Sequence, residues 1–587
     1  MRASGEPNEV MRYCPEDRAV DCALSWYHLP DCPAYFFCTR CYVDSINGTP
    51  LASQFQRVQR PAGSSSTCGF WSPRVKEKLW PEALRSNSLD SLRTFIRKRV
   101  AVPNCKGRGV VVADEGVSWY GMAAGEINGF IACEACYEDR VKGTAFESRF
   151  TAYQKQKADE KWICDIALPY VSRAAACMSR RNDWAGFVAG SVQRLQQPEC
   201  EGMEVSSHTR KWYSASSRLQ EAYVCEACYM DKLALTPLDP EFECQSASGF
   251  DAFMEALGQR RTCMLPSSSI PMAFALENAL RRGDCSIFWN AAQQISKLVP
   301  CTANGIIRGN WWTLRGGCDD LSVCEACFVG ILQTTEVDMF FQNVQRNREA
   351  TIVCNFCVAS PRFSEFIGRF AQALDQGVFI CYSEYARKFA GVTPCPGLDH
   401  REGATWWGYP EILFCHDCYL CFVAGSQLAD TLPIKGERDD RAHICQIWSP
   451  RMRKMWLDAC AAGDPASPES QKAVAEFRKF GSERLSVYLK TVPQIKFIRN
   501  MQQLKMMNGM HQGMLSVMYS GMNSQAVLSG TTDGYEHGNS SLGWYETEHG
   551  ATSAQMRNNM QASMADANRP DQWMQIFQLE ALWREVE

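Results

Sequence analysis

The chain has 587 residues, of which 46% are hydrophobic, and its 61 basic residues nearly balance 65 acidic ones for a formal net charge of −4. This composition predicts a folded protein of several domains and excludes a disordered or strongly basic chain. No run of about 18 apolar residues is present, so we expect no membrane-spanning helix. The polar segment 1–13 has no signal-peptide core, which favours an intracellular location, cytoplasm or nucleus.

Twenty of the 30 cysteines recur in one pattern, repeated five times along the chain. Each copy has a first cysteine, an aromatic pair, a Cys-x-x-Cys knuckle and a fourth cysteine. The fourth cysteine follows the knuckle by 27 or 28 residues in four copies and by 35 in the third. The five sets are Cys14, Cys38, Cys41 and Cys68; Cys105, Cys133, Cys136 and Cys164; Cys200, Cys225, Cys228 and Cys263; Cys301, Cys324, Cys327 and Cys354; and Cys395, Cys415, Cys418 and Cys445.

Thiolates grouped in fours in a reducing compartment indicate metal ligands rather than disulfides. Zinc suits a closed tetrahedral set of four soft thiolates, so we predict about five structural Zn²⁺ ions. Iron–sulfur clusters, disulfides and a redox Cys-x-x-Cys are the alternatives. Such sites contribute on the order of 10 kcal/mol to folding, so chelation should unfold the repeats.

Aromatic and apolar residues flank the knuckles, and we interpret them as core anchors over the metal sites, with ligand recognition as the alternative. Short strands before each knuckle are expected to form a hairpin. The aromatic pairs are Trp26-Tyr27, Trp119-Tyr120, Trp212-Tyr213, Trp311-Trp312 and Trp406-Trp407; Phe37, Ala132, Val224, Val323 and Phe414 precede the knuckles, and Tyr42, Tyr137, Tyr229, Phe328 and Tyr419 follow them.

Helical segments should connect the copies. Ser-Pro-Arg at 72–74, 360–362 and 449–451 is a helix-start signal, since serine caps the free N–H groups and proline has none. The helical regions are about 74–100, 172–196, 271–298, a fourth beginning at Phe363, and 451–492, each divisible into two helices. Pro103, Pro198, Pro300 and Pro394 close the first four regions.

The predicted fold is α+β: a tandem array of five zinc-stapled modules joined by helices, with a Met-rich helical tail. The predicted domains are modules at 1–102, 103–197, 198–298, 299–392 and 393–492, followed by a tail at 493–587. Val492-Pro493-Gln494-Ile495 repeats the phrase that precedes a first cysteine, with isoleucine in its place. We therefore expect the array to end there.

Methionines recur every fourth residue in the tail, at 506, 510, 514, 518 and 522, and again at 556, 560 and 564 after a Gly, Ser and Thr-rich stretch around 523–555. On a helix this spacing makes a slowly drifting apolar stripe of adaptable side chains. Packing or self-association is the favoured interpretation, with a partner groove and copper binding as alternatives.

Ten cysteines lie outside the repeat and are interpreted mostly as buried thiols. Cys357 and Cys421 each follow a repeat cysteine by three residues and offer alternative ligands. His416 and His443 lie near ligands, but neither recurs, so we interpret them as surface or supporting residues. The other eight extra cysteines are Cys22, Cys32, Cys177, Cys244, Cys285, Cys318, Cys381 and Cys460.

The near-neutral charge does not favour nucleic-acid binding, which needs a basic surface. Each zinc tetrathiolate would add two further negative charges. Short basic runs at 97–99, 180–181, 260–261 and 281–282 are interpreted as solvated faces or partners for thiolate charge. No catalytic motif is present, so we expect no enzyme.

The Cys-Glu-Ala-Cys-Tyr phrase of the second and third knuckles resembles the uncharacterised cysteine-rich repeat proteins of filamentous fungi. The resemblance covers the five knuckles and implies no known activity. The sequence thus predicts a zinc-binding scaffold for protein partners. A nucleic-acid-binding or transcription-associated zinc protein and a metal-dependent enzyme are the alternatives.

Overall fold

The computed structural model describes residues 10–200, 202, 211–220, 222–245, 261–530 and 547–587. The chain divides into two compact units, Met1–Gly391 and Val392–Glu587. Four copies of the repeat lie in the first unit, and the fifth lies in the second unit with the long C-terminal helices. Small antiparallel sheets alternate with helices, so the α+β class is as predicted.

Each copy, here called a module, has a three-stranded antiparallel sheet whose middle strand carries the aromatic pair. In the second module β4 and β8 form an additional two-stranded pairing. The strands are β1 (Leu24–Leu29), β2 (Cys32–Cys38) and β3 (Gln56–Arg60); β4 (Val111–Val112), β5 (Trp119–Met122), β6 (Ile131–Cys133), β7 (Phe150–Ala152) and β8 (Lys161–Trp162); β9 (Trp212–Ser214), β10 (Tyr223–Cys225) and β11 (Glu243–Gln245); β12 (Trp311–Leu314), β13 (Val323–Cys324) and β14 (Phe341–Val344); and β15 (Ala404–Tyr409), β16 (Ile412–Cys415) and β17 (Ile434–Asp439).

The register of these sheets places the first aromatic residue opposite the first knuckle cysteine in every module. Directly opposed residues of an antiparallel pair point to the same face, so the indole covers the cysteine. The five tryptophans are at most 3% exposed. The pairs are Trp26–Cys38, Trp119–Cys133, Trp212–Cys225, Trp311–Cys324 and Trp406–Cys415.

Two helices follow the fourth cysteine of every module, which confirms the predicted division of each helical region. We call each pair a connector. The connectors are α1 (Trp80–Ser86) and α2 (Asp90–Ala101); α3 (Pro169–Arg180) and α4 (Trp184–Gln196); α5 (Ile270–Arg282) and α6 (Cys285–Ile295); α7 (Phe363–Gln376) and α8 (Ile380–Phe389); and α9 (Pro450–Ala461) and α10 (Pro468–Leu528).

Two of the three Ser-Pro-Arg signals start helices, and after the one at 72–74 the chain is helical from Pro73 through the π-helical turn Val75–Leu79 into α1. Ser449 caps α9, since its Oγ accepts a hydrogen bond of 3.3 Å from the Met452 N–H. The Ser-Pro-Arg of the fourth copy, at 360–362, forms a turn instead, and α7 begins at Phe363. The first four connectors end before their prolines, but α10 runs through Pro493. Buried Val492 and Ile495 flank that proline, so tertiary packing holds the helix across it.

The C-terminal tail continues with α11 (Glu548–Ala567) and α12 (Pro570–Arg584), both of which contact α10. The Gly, Ser and Thr-rich linker predicted around 523–555 is shorter than expected, because α10 extends to Leu528 and α11 begins at Glu548. Residues 531–546 of that stretch lie outside the described residues.

Each module encloses its own hydrophobic core between the sheet and the connector. In the first module Phe37 from β2 packs with Leu92 and Phe95 from α2. In the fourth module Phe356 packs against Phe370 of α7 and Tyr382 of α8. The connector therefore completes the module that precedes it.

Candidate metal centres

The knuckle of every module forms a three-residue helical turn followed by a π-helical turn; we call the two together the knuckle helix. The first knuckle cysteine stands in extended conformation before this helix. In the first module the Cys41 N–H donates to Cys38 Sγ at 3.3 Å. The paired turns are Thr39–Cys41 and Tyr42–Ile46; Glu134–Cys136 and Tyr137–Val141; Glu226–Cys228 and Tyr229–Leu233; Glu325–Cys327 and Phe328–Gln333; and His416–Cys418 and Tyr419–Val423.

The structure brings the twenty predicted cysteines together as five groups of four, with the composition predicted from the sequence. Within each group all four Sγ atoms lie within 4.8 Å of one another. A tetrahedral zinc ion with Zn–S distances near 2.3 Å places its sulfurs about 3.8 Å apart. All thirty cysteines lie in the described part of the chain, and none of them forms a disulfide bond. The donor sets therefore fit a thiolate-bound metal ion.

Backbone N–H groups point at the sulfurs in the same way in all five groups. The N–H of the first knuckle cysteine donates to the Sγ of the fourth cysteine at 3.3 to 3.5 Å. Such donors favour the thiolate over the thiol. In the second and fifth modules a glycine N–H also donates to the first cysteine, from Gly107 to Cys105 and from Gly397 to Cys395, both at 3.3 Å.

Burial is graded across each group. The first cysteine is half-buried in all five modules, whereas the fourth is buried in all five. Hydrogen bonds with the other three cysteines lower the pKa of Cys105, Cys200 and Cys395. The groups are therefore closed on the core side and partly open to solvent beside the first cysteine, and in the first group also beside Cys41.

The alternative ligands considered from the sequence are not part of these groups. Cys357 is buried and donates to the Thr302 carbonyl at 3.4 Å. Cys421 is exposed, and its Sγ lies 3.7 Å from Asp417 Oδ1. His416 stacks on Trp407, and His443 Nε2 lies 2.8 Å from Asp439 Oδ2.

Several cysteines outside the repeat have the properties of protonated thiols. Burial raises the pKa of Cys22 to about 11. It also raises the pKa of Cys32, Cys318 and Cys381 above the usual value for a thiol. The prediction that the ten are mostly buried is wrong, since only Cys32 and Cys357 are buried, six are half-buried, and Cys244 and Cys421 are exposed.

The second aromatic of each pair stacks on the residue that follows the knuckle. The ring centroids lie 3.6 to 4.8 Å apart, and the planes are within 17° of parallel. The stack joins the middle strand to the π-helical turn and fixes the knuckle helix on the sheet. The stacked pairs are Tyr27–Tyr42, Tyr120–Tyr137, Tyr213–Tyr229, Trp312–Phe328 and Trp407–Tyr419.

Contacts between modules are the feature that sequence reasoning missed. In α2, Arg99 Nε donates to both carboxylate oxygens of Asp139 at 3.1 and 3.0 Å, on the second module's knuckle helix. In α4, Arg194 makes the equivalent pair with Asp231 of the third module. Each of these arginines stands four residues before the closing proline, and each aspartate stands three residues after the knuckle. This repeated spacing is the signal by which the contact was predictable.

The third connector reaches the fourth module through apolar contacts instead. Gly330 stands where the first three modules have aspartate, and a methyl group there would lie 2.5 Å from Pro271 Cβ. Asn278 of α5 also donates to the Thr334 carbonyl. In modules 2, 3 and 4 the knuckle helix is therefore covered by the connector of the preceding module.

No protein-family model, curated protein or solved structure matches this chain. The resemblance to fungal repeat proteins stays a prediction. Among the described residues no helix is long and apolar enough to cross a membrane.

Proposed function

We propose that this chain is a non-enzymatic zinc-binding repeat protein that serves as a protein–protein interaction scaffold in the reducing cytoplasm or nucleus. The proposal rests on the five closed groups of four cysteine sulfurs. Each group would hold one structural Zn²⁺ ion through four thiolates, which leaves no coordination position for a substrate. Structural zinc stabilises the fold in which it is bound and supplies no reaction.

Exposure of the first module's knuckle helix supports a protein-binding role. Val43 is 38% exposed, whereas the residues at the same position in modules 2 to 4 are 1%, 3% and 7% exposed. The Asp44 side chain is 48% exposed and pairs with Arg40 on the same helix, whereas its counterpart Asp139 is 8% exposed and holds Arg99. Val43 and Asp44 therefore lie on an exposed face of this helix, which we call the uncovered face.

A cleft lined partly by charged side chains adjoins the uncovered face. A cleft of about 360 Å³ is lined by residues that include Arg40, Asp44, Trp71 and Lys76. The contacts of Arg99 with Asp139 and of Arg194 with Asp231 indicate which kind of helix binds to such a face. That helix presents an arginine to the aspartate and apolar residues to the knuckle helix. We therefore propose an arginine-bearing helix of another protein as the partner.

Nucleic-acid binding, the second candidate, is less well supported. The basic runs considered from the sequence are largely engaged by carboxylates: Lys98 contacts Glu138 at 2.5 Å, and Arg282 contacts Glu336 at 2.6 Å. Lys98 and Arg282 thus pair with carboxylates, rather than with the solvent or the thiolates expected from the sequence. Arg260 lies outside the described residues.

The experiment is photo-crosslinking with p-benzoylphenylalanine introduced at Val43 of the full chain in cells. The matched control carries the same group at Leu84, which is 41% exposed on α1. We expect a discrete protein adduct at Val43 that is absent at Leu84 and abolished by Asp44→Arg. Equal adducts at both positions, or none at Val43, would contradict protein docking on this face. Salt-sensitive binding of the purified zinc-loaded chain to duplex DNA or RNA would favour the second candidate.

A further inference from the structure

The hairpin formed by α10 and α11 has small and polar residues inside. Gln502, Gly509, Ser516 and Asn523 recur every seventh residue on the buried face of α10. Ser516 Oγ donates to the Ser553 carbonyl of α11 at 2.9 Å. The two helices are close, since a methyl group at Gly509 would lie 3.1 Å from Met564 Cγ. The contact between α10 and α11, which we call the seam, therefore buries little apolar surface of α10.

The outer face of the same segment carries the apolar residues. The methionine ridge, which comprises Met506, Met510, Met514, Met518 and Met522, is 39%, 57%, 73%, 50% and 39% exposed along the chain. Exposure is therefore greatest at Met514 and falls on both sides of it. Leu504, Met507 and Val517 are also 58% to 74% exposed. Contiguous exposed apolar surface of this kind marks an interaction site.

We propose that this ridge is covered by the same ridge of a second copy of the chain, with the two α10 helices crossing at Met514. Residues spaced by four form a ridge inclined to the helix axis, and two such ridges interlock when the helices cross at about −50°. A surface that packs against its own copy must be self-complementary about a two-fold axis. The symmetric fall of exposure around Met514 meets that requirement.

The near absence of charge on this segment favours association with a second copy over binding of a charged partner. Between Met501 and Leu528 the only charged side chain is Lys505, apart from the titratable His511. Lys505 is engaged by Asp566 of α11 at 2.5 Å. Two copies can therefore approach without repulsion between like charges, whereas an acidic or basic partner would find no complementary charge on the ridge.

The size of the contact is also adequate. The ridge is about 24 Å long, at 1.5 Å per residue, and a pair of helices is roughly 20 Å wide. Two copies would bury on the order of 1,000 Å² in total, the size at which specific interfaces begin. Methionine side chains adapt their shape to such a contact.

The test is sedimentation velocity of the full zinc-loaded chain over a range of concentrations near and above micromolar. Wild type should form a species of twice the 66.1 kDa chain mass. Met514→Glu and Met514→Lys should each weaken association at least about tenfold, because like charges meet at the crossing. A mixture of the two variants should regain association as a 1:1 dimer. Met339→Glu, at a 59% exposed methionine of the first unit, is the control and should associate like wild type.

A monomeric wild type at all concentrations would overturn the proposal. Dimers that persist in both Met514 variants, or that do not recover in their mixture, would also overturn it. Binding of a monomeric chain to phosphatidylcholine–phosphatidylserine vesicles, lost in Met514→Glu, would assign the ridge to a membrane surface instead. Circular dichroism of each variant establishes that its helices are intact.

Discussion

Arg194 of α4 donates from Nε and Nη2 to the two carboxylate oxygens of Asp231, at 2.8 and 2.6 Å, and joins the second connector to the third knuckle helix. The two side chains are only 5% and 15% exposed. Removal of one partner of a buried pair leaves a charge without compensation. The stability of this junction therefore depends on both residues together.

Arg194→Ala should destabilise the second and third modules by about 3–5 kcal/mol. Urea unfolding followed by circular dichroism measures this as a shift of the transition midpoint. The matched control is Arg180→Ala, whose pair with Glu77 is exposed on both sides and should contribute less than about 1 kcal/mol. Equal shifts for the two variants would show that the buried pair does not stabilise the junction.

The two tryptophans of the fifth module should differ in their contributions, although they are neighbours on β15. Trp406 is 1% exposed opposite Cys415, whereas Trp407 is half-buried and stacks on Tyr419. Trp406→Ala should cost about 3–5 kcal/mol through the cavity that it leaves. Trp407→Ala loses a stack of about 0.5–1.5 kcal/mol and some buried area. Thermal unfolding of both variants checks the order; a larger loss for Trp407→Ala would contradict the assigned packing.

Alkylation should separate the thiols outside the repeat by their burial. Because burial raises the pKa of Cys22 to about 11, only about one molecule in a thousand carries the reactive thiolate at pH 8. The alkylation rate of Cys22 should therefore rise about tenfold per pH unit up to that pKa. The exposed Cys244 and Cys421 should react fastest in a peptide map of the iodoacetamide-treated zinc-loaded chain. Equal rates at pH 8 would contradict the burial of Cys22.

Replacement of one fourth cysteine should remove one metal ion and leave the others. Cys164→Ser deletes a buried ligand atom from the second group, so the zinc content should fall by about one ion per chain. Cys177→Ser, in α3 but outside the groups, is the control and should retain full zinc. Zinc analysis of both purified variants measures the difference; unchanged zinc in Cys164→Ser would remove that residue from the ligand set.

Local patterns explain why much of this fold was predictable. The two-residue spacer between Cys133 and Cys136 predicts that both bind one metal ion, and Pro103 predicts the end of a helix. Both predictions depend only on a few neighbouring residues. Pro493 gives the same signal as Pro103, yet Val492 and Ile495 are buried and hold α10 across it. That outcome depends on tertiary packing, which no local pattern contains.

The exposure of the methionine ridge and the partners of the connector arginines also depend on residues that are distant in the sequence. The spacing of the methionines predicts one helical stripe, but not whether that stripe lies inside or outside. Glycine and serine at 509 and 516 occupy the seam because α11 approaches closely there, and this leaves Met514 exposed. The sequence predicts a solvated face or a partner for thiolate charge in the run that contains Arg99, whereas its partner in the structure is Asp139, 40 residues away.

Metal analysis combined with thiol titration tests the central claim most directly. The full chain, purified without added metal, should contain about five zinc ions. The twenty repeat cysteines should be protected from reagent before chelation and reactive afterwards, with loss of helix content as the modules unfold. A chain that contains little or no metal, or whose twenty repeat cysteines react fully while it remains folded, would contradict the account.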